Sequence, residues 1–429
     1  MNSLDGYQGV DSYWYDQVPS YWKKTKNKYV FCQEKHVVGE DWEKFTLLTM
    51  GKSGVKPRDM EGGGKFPASF ETYQTVEPNQ LIFCLFDLDE TPRTIGMSKD
   101  YGMITSAYDV FSTTEGNDPQ FWTYFYQTID DHKGLRPFYT GLRKVVRSDT
   151  FMNIEVFSPP LEEQKLISRY LDKKTEQIDR LIEKIQKKIE LFKEQRTSLI
   201  NQCVTKGLDP NVEMKDSGVD WIGEIPKHWD ISKIKYVSRV ENGSTPKSDN
   251  SDFWEGEIRW FTPTDFKTKD HFGNLIEPSR YISQEGLEDS GCSLINEKSI
   301  LITTRAPVGN LSKIDGPFTF NQGCKSITTL NANMDYLYFY LLSRGEVLNV
   351  LSNGTTFKEL STDNLLNFFI PLPSQNEQIK ISERLIQISS HFHNLVSSFE
   401  EKLTLLEEYR KSLISSVVTG KVRVTENMI

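Results

Sequence analysis

The chain has 429 residues, and 51 lysines and arginines against 60 aspartates and glutamates give it a formal charge of −9 at pH 7. This length fits two or three domains, and 37% hydrophobic with 12% aromatic residues excludes wholesale disorder. No apolar run approaches the roughly 20 residues of a membrane span, no signal peptide is visible, and five scattered cysteines argue against a disulfide framework, so we expect a cytoplasmic protein.

The first half of the chain predicts a globular domain followed by a long helix. Residues 1–158, which include an N-terminal segment, mix short apolar runs with turns, and LIFCLF at 81–86 predicts a buried strand. The stretch 159–206 has almost no glycine or proline beyond its first two residues and predicts one long helix. Prolines open this helix and Gly207 lies where it should end.

The second half predicts the same order of elements. A polar segment rich in turn-forming residues, 207–229, is interpreted as a linker between the halves. Residues 230–372 predict a second globular domain, and 373–420 predict a second long helix that begins with a capping-box sequence. Residues 421–429 form a tail.

The long helices and the residues before them are related by sequence. The run EEQ at 162–164, which follows two prolines, corresponds to NEQ at 376–378 with an offset of 214. The same offset relates RTSLI at 196–200 to RKSLI at 410–414. Matches at one fixed offset over about forty residues indicate an internal repeat.

The starts of the two halves are also related. A Val/Ile-Pro pair, a tryptophan and KYV recur with an offset of 207, and GVD at 9–11 matches GVD at 218–220 with an offset of 209. The middle parts, about 31–140 and 238–350, show no similarity that can be aligned by eye. The halves therefore share their ends and differ in their centres.

Apolar residues recur every seven positions along both predicted helices. This period is typical of a coiled-coil seam, because it keeps one apolar stripe facing a partner helix. The seam residues are Leu171, Ile178, Ile185, Phe192, Leu199, Leu385, Phe392, Phe399, Leu406 and Leu413. Two equal seams in one chain favour antiparallel packing of the helices, with a pseudo-twofold axis between the halves. The predicted fold class is α+β, with two globular α/β domains joined by two long antiparallel coiled-coil helices.

No catalytic motif is apparent in the sequence. GGGK at 62–65 has neither the spacing of a P-loop nor a following Ser or Thr. The nearest matches to the Asp/Asn-Pro-Pro-aromatic turn of an adenine methyltransferase, at 118–121 and 158–161, each fail one required position. The six histidines and the cysteines lack zinc-ligand spacing. We therefore expect no catalytic residue, no metal and no cofactor bound by this chain.

Several motifs together resemble the specificity subunits of type I restriction–modification systems. They are Glu-Gln at 163–164 and at 377–378, DSG at 216–218, WIGEIP at 221–226, NGSTP at 242–246 and TTRAPVG at 303–309. The resemblance covers essentially the whole chain, and this combination in this order is highly specific. The first half departs from it, with YWYDQVP at 13–19 and, near the place of NGSTP, GKSGVK at 51–56.

The resemblance implies a non-catalytic subunit of a DNA methyltransferase/endonuclease complex. Target-recognition domains at 1–158 and 230–372 would each read one half of a bipartite site in double-stranded DNA. The helices would set the half-site spacing and dock two methyltransferase subunits, which are expected to bind S-adenosylmethionine. A restriction or translocase subunit is left open, and no membrane partner is expected.

The acidic charge argues against strong DNA binding by this chain alone, because phosphate contacts need Lys or Arg. The conflict is resolved if the methyltransferase partners supply part of the positive surface. Loops that carry Lys, Arg, Asn, Gln and Thr suit readout of base edges. The candidate DNA-binding residues are Lys52, Lys56, Arg58, Lys65, Arg143, Lys144, Asn242, Ser244, Thr245, Lys247, Thr264, Arg305, Asn321, Gln322, Lys325 and Lys358.

A function from another class is a coiled-coil protein-interaction scaffold that never contacts DNA. The two hypotheses differ in whether the chain, together with a methyltransferase, shifts DNA in a sequence-dependent and salt-dependent manner. A self-contained restriction enzyme is disfavoured by the missing methylation and nuclease motifs.

Overall fold

The computed structural model describes residues 6–51, 54–59, 69–305, 307–352 and 359–429. The chain divides into two compact units: the first contains 1–184 and 402–429, and the second contains 185–401. Both units combine short strands with helices, in agreement with the predicted α+β class.

The first half of the chain is built on short strands that precede one long helix. The strands are β1 (Tyr7–Gly9), β2 (Gln17–Pro19), β3 (Lys23–Lys26), β4 (Phe31–Glu34), β5 (Leu48–Gly51), β6 (Gly54–Pro57), β7 (Gln74–Val76), β8 (Leu81–Phe83), β9 (Ile95–Met97), β10 (Gly102–Ile104), β11 (Asp109–Thr113) and β12 (Glu155–Ser158). The helices are α1 (Pro119–Asp131), α2 (Ser148–Asn153) and α3 (Leu161–Lys206). The buried strand predicted at 81–86 is confirmed as β8.

The second half contains the corresponding elements and several short additional ones. The strands are β13 (Met214–Asp216), β14 (Glu224–Pro226), β15 (Asp230–Lys233), β16 (Ser238–Asn242), β17 (Ile258–Phe261), β18 (Arg280–Ile282), β19 (Ser299–Thr303), β20 (Leu311–Ile314), β21 (Thr319–Phe320), β22 (Cys324–Thr329) and β23 (Phe369–Leu372). The helices are α4 (Ile234–Val237), α5 (Gln284–Ser290), α6 (Met334–Leu342), α7 (Gly345–Val350), α8 (Thr362–Leu366) and α9 (Gln375–Val418).

The two units share one sheet topology although their central sequences do not align. The first unit has a four-stranded sheet in the order β4-β11-β8-β9, and the second has one in the order β16-β22-β19-β20. Both sheets are antiparallel, and in both the first strand along the chain pairs with the last. Different apolar residues fill the two cores, because a buried strand requires apolar side chains rather than particular ones.

A short hairpin precedes each sheet and fixes the offset between the halves. In β1·β2 Tyr7 pairs with Pro19, and in β13·β14 Met214 pairs with Pro226, so every pair is related by an offset of 207. The match of 9–11 with 218–220 at an offset of 209 is therefore not a structural equivalence. Glycine and aspartate recur in these turns because both favour turn conformations, so a three-residue match there carries little information about register.

The segment 207–229 is more ordered than the interpretation as a linker implies. It contains the hairpin β13·β14, and it buries Ile222, Ile225 and Trp229 in the core of the second unit. Its glycines form the turns of a packed hairpin rather than a flexible connection. The C-terminal tail is also anchored, since Val424 is buried in the core of the first unit.

Each unit is completed by the end of the long helix that belongs to the other half. In the first unit, Val417 near the end of α9 shares a core with Val18 and Trp22. In the second unit, Val204 near the end of α3 shares a core with Trp229. The compact units therefore differ from the sequence repeats, which contain a domain and the whole of the following helix.

The long helices run antiparallel where they pack within each unit. In the first unit, the Arg410 guanidinium contacts the Asp179 carboxylate at 2.9 Å. In the second unit, the Phe192 ring lies 6.0 Å from that of Phe392 and 5.8 Å from that of Phe399. The four buried seam residues are Leu171, Ile178, Leu385 and Phe392. The other six are half-buried: Ile185, Phe192, Leu199, Phe399, Leu406 and Leu413.

Candidate nucleic-acid interface

A buried glutamine joins the start of α3 to the domain of the first unit. The side-chain oxygen of Gln164 accepts from the backbone N–H of Asp118 at 2.9 Å, and its amide donates to the Pro159 carbonyl at 2.9 Å. Asp118 caps α1, and its carboxylate also accepts from the Ser168 hydroxyl of α3 at 2.5 Å. The glutamine thereby fixes the angle between the long helix and α1.

The second unit contains the same arrangement at the repeated glutamine. Gln378 accepts from the backbone N–H of Asn333 at 2.7 Å and donates to the Pro373 carbonyl at 2.9 Å. Asn333 caps α6, and its side-chain oxygen accepts from the Ser382 hydroxyl of α9 at 2.9 Å. These bonds explain why the glutamine of the Glu-Gln motif recurs although the centres of the two halves differ.

The predicted residues Asn242 and Lys325 lie opposite each other on β16 and β22 of the second unit. The Lys325 ammonium donates to the Asn242 side-chain oxygen at 2.6 Å, and this oxygen also accepts from the Thr362 hydroxyl at 2.8 Å. Burial lowers the pKa of the Lys325 ammonium, an effect that Glu359 opposes and Arg305 reinforces. Lys325, which is only 6% exposed, therefore orients the exposed Asn242.

The loop after β16 packs directly on the loop before β22. The Thr245 hydroxyl donates to the Gln322 side-chain oxygen, and the backbone N–H of Ser244 donates to a carbonyl of the facing loop at 3.0 Å. A Cβ at Gly243 would lie 2.2 Å from the Asn321 carbonyl oxygen, so only glycine permits this approach. The contact brings four of the predicted residues together, and Thr245 and Gln322 are exposed.

Thr264 lies beside the same pair of loops. Its hydroxyl is 2.7 Å from that of Thr262, at the start of a short helical turn. The neighbouring Pro263 lies 3.1 Å from the position of a Cβ at Gly323. The Asn321 side-chain oxygen accepts from the Gly323 N–H at 3.0 Å and is thereby held in place. Thr264 thus extends the polar surface formed by the two loops.

Two of the predicted cations of the second unit are paired with carboxylates. Arg305 lies 3.2 Å from Glu359, and the Lys247 ammonium lies 3.4 Å from Asp289. All four side chains are exposed or partly exposed, so these pairs are screened by solvent and contribute little to stability. Their consequence is electrostatic, because each carboxylate cancels a positive charge that a phosphate would otherwise meet.

The predicted cations at 143–144 are neutralised in the same manner in the first unit. The Arg143 guanidinium lies 2.8 Å from Asp87, and the Lys144 ammonium lies 3.0 Å from Asp89 and 2.9 Å from Glu90. Hydrogen bonds from Lys144 and from a neighbouring arginine lower the pKa of the Asp89 carboxyl to about 2. The Asp89 carboxylate therefore stays charged throughout the physiological range.

The remaining candidates lie in and near the hairpin β5·β6 and in one loop of the second half. Lys56 is exposed on β6, and Arg58 is exposed one residue beyond this strand. Lys52, Lys65 and Lys358 lie outside the described residues.

Sequence reasoning missed the residues that hold the predicted ones in place. Glu359, Asp289 and Thr362 contact their partners across 54, 42 and 120 positions of the chain, respectively. No local pattern marks these residues, because their role depends on a fold that brings distant loops together.

Among the described residues there is no group of three or more His, Cys, Asp or Glu side chains that could hold a metal ion, and no helix is long and apolar enough to cross a membrane. A groove of about 510 Å³ in the second unit is lined in part by Arg196, Lys269, His271 and His393. Asp270 and Glu400 also line this groove, so it carries side chains of both charges.

Comparison with protein families matches residues 226–402 to the type I restriction modification DNA specificity domain. The chain is 32% identical over 198 residues to the type I restriction enzyme MjaIX specificity subunit of Methanocaldococcus jannaschii. That match covers 46% of this chain and 45% of the relative, so the chain spans about half the length of this relative.

Solved structures with the same fold cover nearly the whole chain. A chain from a structural study of complex assembly and conformational transition of the type I R-M system superimposes with a TM-score of 0.73 at 16% identity, covering 94% of this chain and 99% of that one. The HsdS subunit of Thermoanaerobacter tengcongensis gives a TM-score of 0.54 at 17% identity, covering 94% and 98%. Residues 226–402 thus match the type I restriction modification DNA specificity domain, and the chain as a whole has the fold of the solved structures and is similar in sequence to type I specificity subunits.

Proposed function

We propose that this chain is the DNA sequence-specificity subunit of a type I restriction–modification complex and that it has no catalytic site of its own. The observation that carries the proposal is the duplication of one sheet topology, β4-β11-β8-β9 and β16-β22-β19-β20, within a single chain. Two similar domains with different surfaces suit a target made of two different half-sites.

The polar surface of the second unit supplies the chemistry for reading bases. It presents the exposed side chains of Asn242, Thr245, Thr264 and Gln322, and hydrogen bonds orient Asn242, Thr245 and Gln322. Asparagine and glutamine amides pair with the N6 and N7 edge of adenine, and threonine accepts or donates at either kind of base pair. Side chains fixed before binding lose less conformational entropy on binding, which favours specific contacts.

The ion pairs on these surfaces support a role for partner subunits. Arg143, Lys144, Lys247 and Arg305 are each paired with a carboxylate, and the chain carries a charge of −9. Since phosphate contacts supply most of the affinity for DNA, tight binding requires positive charge from elsewhere. Two methyltransferase subunits, which would also bind S-adenosylmethionine, fit this requirement, and the presence of a restriction or translocase subunit is left open.

The long helices are proposed to set the spacing of the half-sites. At 1.5 Å per residue, α3 with 46 residues and α9 with 44 residues are each about 65–70 Å long. Half-sites read from one face of B-DNA are centred about 34 Å apart, one helical turn. The helices are long enough to hold two readers at such a separation.

Methylome sequencing of cells that express the chain with a methyltransferase tests the proposal. We expect methylation at one bipartite motif, and we expect Asn242→Ala with Gln322→Ala to relax one half of that motif while the other half is unchanged. Asn376→Ala, a substitution of an exposed asparagine on α9, is the matched control and should preserve the whole motif. A motif that is unaffected by the paired substitution would refute the assignment of this surface.

The alternative function, a protein-interaction scaffold without DNA recognition, predicts a different result in a gel shift. If the complex of chain and methyltransferase binds DNA without sequence preference and without dependence on salt, the DNA-specificity proposal fails. The proposal also fails if the methyltransferase recognises the motif without this chain.

A further inference from the structure

Arg280 differs from Lys247 and Arg305 in having no carboxylate partner among the described residues. Lys247 and Arg305 are both paired with carboxylates. Among the described residues, no ion pair and no side-chain hydrogen bond involves Arg280, although its side chain is exposed. Sequence reasoning did not single this residue out.

Two tryptophans hold the Arg280 guanidinium in place. Its central carbon lies 3.6 Å from the ring centroid of Trp254 and 5.9 Å from that of Trp260. The two rings meet edge to face, with centroids 4.9 Å apart and an interplanar angle of 82°. Arg280 and Trp260 are also paired across β18 and β17, which sets the side of the hairpin on which both side chains project.

The tryptophans connect this stack to the polar loop after β16. The indole N–H of Trp254 donates to the Lys247 carbonyl at 3.2 Å, and that of Trp260 donates to the Ser244 carbonyl at 3.0 Å. The loop of Ser244 and Lys247 is the one that packs on Asn321 and Gln322. Arg280 therefore belongs to the same surface as the residues proposed to read bases.

We propose that Arg280 reads a guanine in the half-site bound by the second unit. Stacking occupies the flat face of a guanidinium and leaves the N–H groups at its edge available for hydrogen bonds. Two of those groups match the O6 and N7 acceptors of guanine in the major groove. The inference rests on the proposed function, and it adds the residue and the base that it selects.

The stack explains why this arginine suits base recognition better than a free surface cation. A flexible arginine loses several rotatable bonds on binding, whereas Arg280 is already held against Trp254. Phosphate contacts position a protein on the duplex without reading its sequence, and a lysine can supply them as a point charge. Fixed orientation without a carboxylate partner is the combination expected of a base reader.

Arg259, on the neighbouring strand β17, provides a matched control. Its guanidinium donates to the Ile276 carbonyl at 2.9 Å and the Pro317 carbonyl at 3.1 Å, and also to the Asp315 carbonyl. Its donors are therefore used inside the protein. Arg259→Gln should affect stability without changing which bases are preferred.

The test is selection of DNA sites from a randomised pool by the purified complex of the chain with its methyltransferase. We expect Arg280→Ala to remove one guanine preference in one half-site, by about tenfold to a hundredfold, with the other half-site unchanged. Arg280→Lys keeps the charge but not the two-pronged geometry, so it should lose the same preference while it restores part of the affinity. Arg259→Gln should retain every preference.

The outcomes separate this inference from the proposed function. Equal weakening of all sites by Arg280→Ala, with a salt slope lowered by about 1, would identify a phosphate contact and overturn the inference. Unchanged preferences with a lowered unfolding temperature would assign the stack a structural role and would also overturn it. If the half-site bound by the second unit contains no guanine, the inference is also overturned. If the unmodified complex selects no sequence at all, the proposed function itself fails.

Discussion

The two buried glutamines offer the sharpest test of how the repeats hold the long helices. Gln164 is 1% exposed, and its side chain satisfies both the backbone N–H of Asp118 and the carbonyl of Pro159. Gln164→Ala would leave the half-buried N–H of Asp118 without its partner and the Pro159 carbonyl with only the Ser158 hydroxyl, at 3.3 Å. An unsatisfied polar group of this kind costs about 1–3 kcal/mol, so the first unit is expected to lose roughly 1–3 kcal/mol of unfolding free energy.

The same substitution at the repeated position should affect the other unit. Gln378→Ala removes the bonds to Asn333 and Pro373, which have nearly the same lengths, so a loss of similar size is expected in the second unit. Gln177→Ala is the control, because Gln177 is exposed on α3 and its truncation should change stability by less than about 0.5 kcal/mol.

Native-state hydrogen exchange is the appropriate assay, because a two-unit protein need not unfold in a single transition. Protection of the amide of Phe121, which donates to the Asp118 carboxylate, reports on the first unit. The amide of Tyr336, which donates to the Asn333 side chain, reports on the second. If each glutamine variant retained the protection of its own unit, the glutamine would not be what fixes the helix, and the reasoning would be refuted.

Three further predictions concern the turns, the acidic loop and the paired cations. Gly207 and Gly420 both have positive φ, +77° and +74°, and a Cβ would lie 3.2 Å from Trp229 at Gly207 and 2.6 Å from Pro19 at Gly420. Alanine at either position should therefore lower the free energy of unfolding by about 1–3 kcal/mol, with the larger loss at Gly420. Urea denaturation measures this loss. The pKa of Asp89 is lowered from 3.8 to about 2 in the folded chain, so its stabilising effect is present above about pH 4 and is lost as the pH falls toward 2. Asp89→Asn should therefore reduce the pH dependence of the melting temperature between pH 4 and 2. A variant whose melting temperature falls with pH as steeply as that of the unmodified chain over this range would contradict the prediction. Glu359→Gln and Asp289→Asn should release Arg305 and Lys247 from their ion pairs. Each new phosphate contact should then steepen the slope of the logarithm of the DNA-binding constant against the logarithm of the salt concentration by about 0.9, as measured by fluorescence anisotropy titration of the complex. An unchanged slope would show that these cations do not contact phosphate.

The long helices were predictable because their signal is local and repeated. A period of seven over about forty residues leaves few alternatives to a helix, and α3 and α9 begin and end within two residues of the predicted ranges. The seam residues Leu171 and Leu385 are both fully buried. The fold class follows from these repeated ends, which carry most of the sequence similarity between the halves.

The shared sheet topology was not predictable from the sequence. Ile82 in β8 and Ile302 in β19 are both buried, but many apolar residues satisfy that requirement equally well, so equivalent strands need not resemble each other. The hairpin β13·β14 was missed because its turn residues also suit a linker. The partners of Lys247 and Arg305 were missed because ion pairs between distant loops leave no pattern along the chain.

The composition of the first unit has a consequence for synthesis of the protein. Val18 and Trp22 share a core with Val417 and Val418, so the ribosome makes the two sides of this core about 400 residues apart. At about 5–20 residues per second, the earlier side waits roughly 20–80 s for the later one. The second unit, which is continuous from 185 to 401, can fold during that interval. A nascent chain that stops before residue 402 would therefore hold a finished second unit beside an open first one, whose apolar residues are available to chaperones.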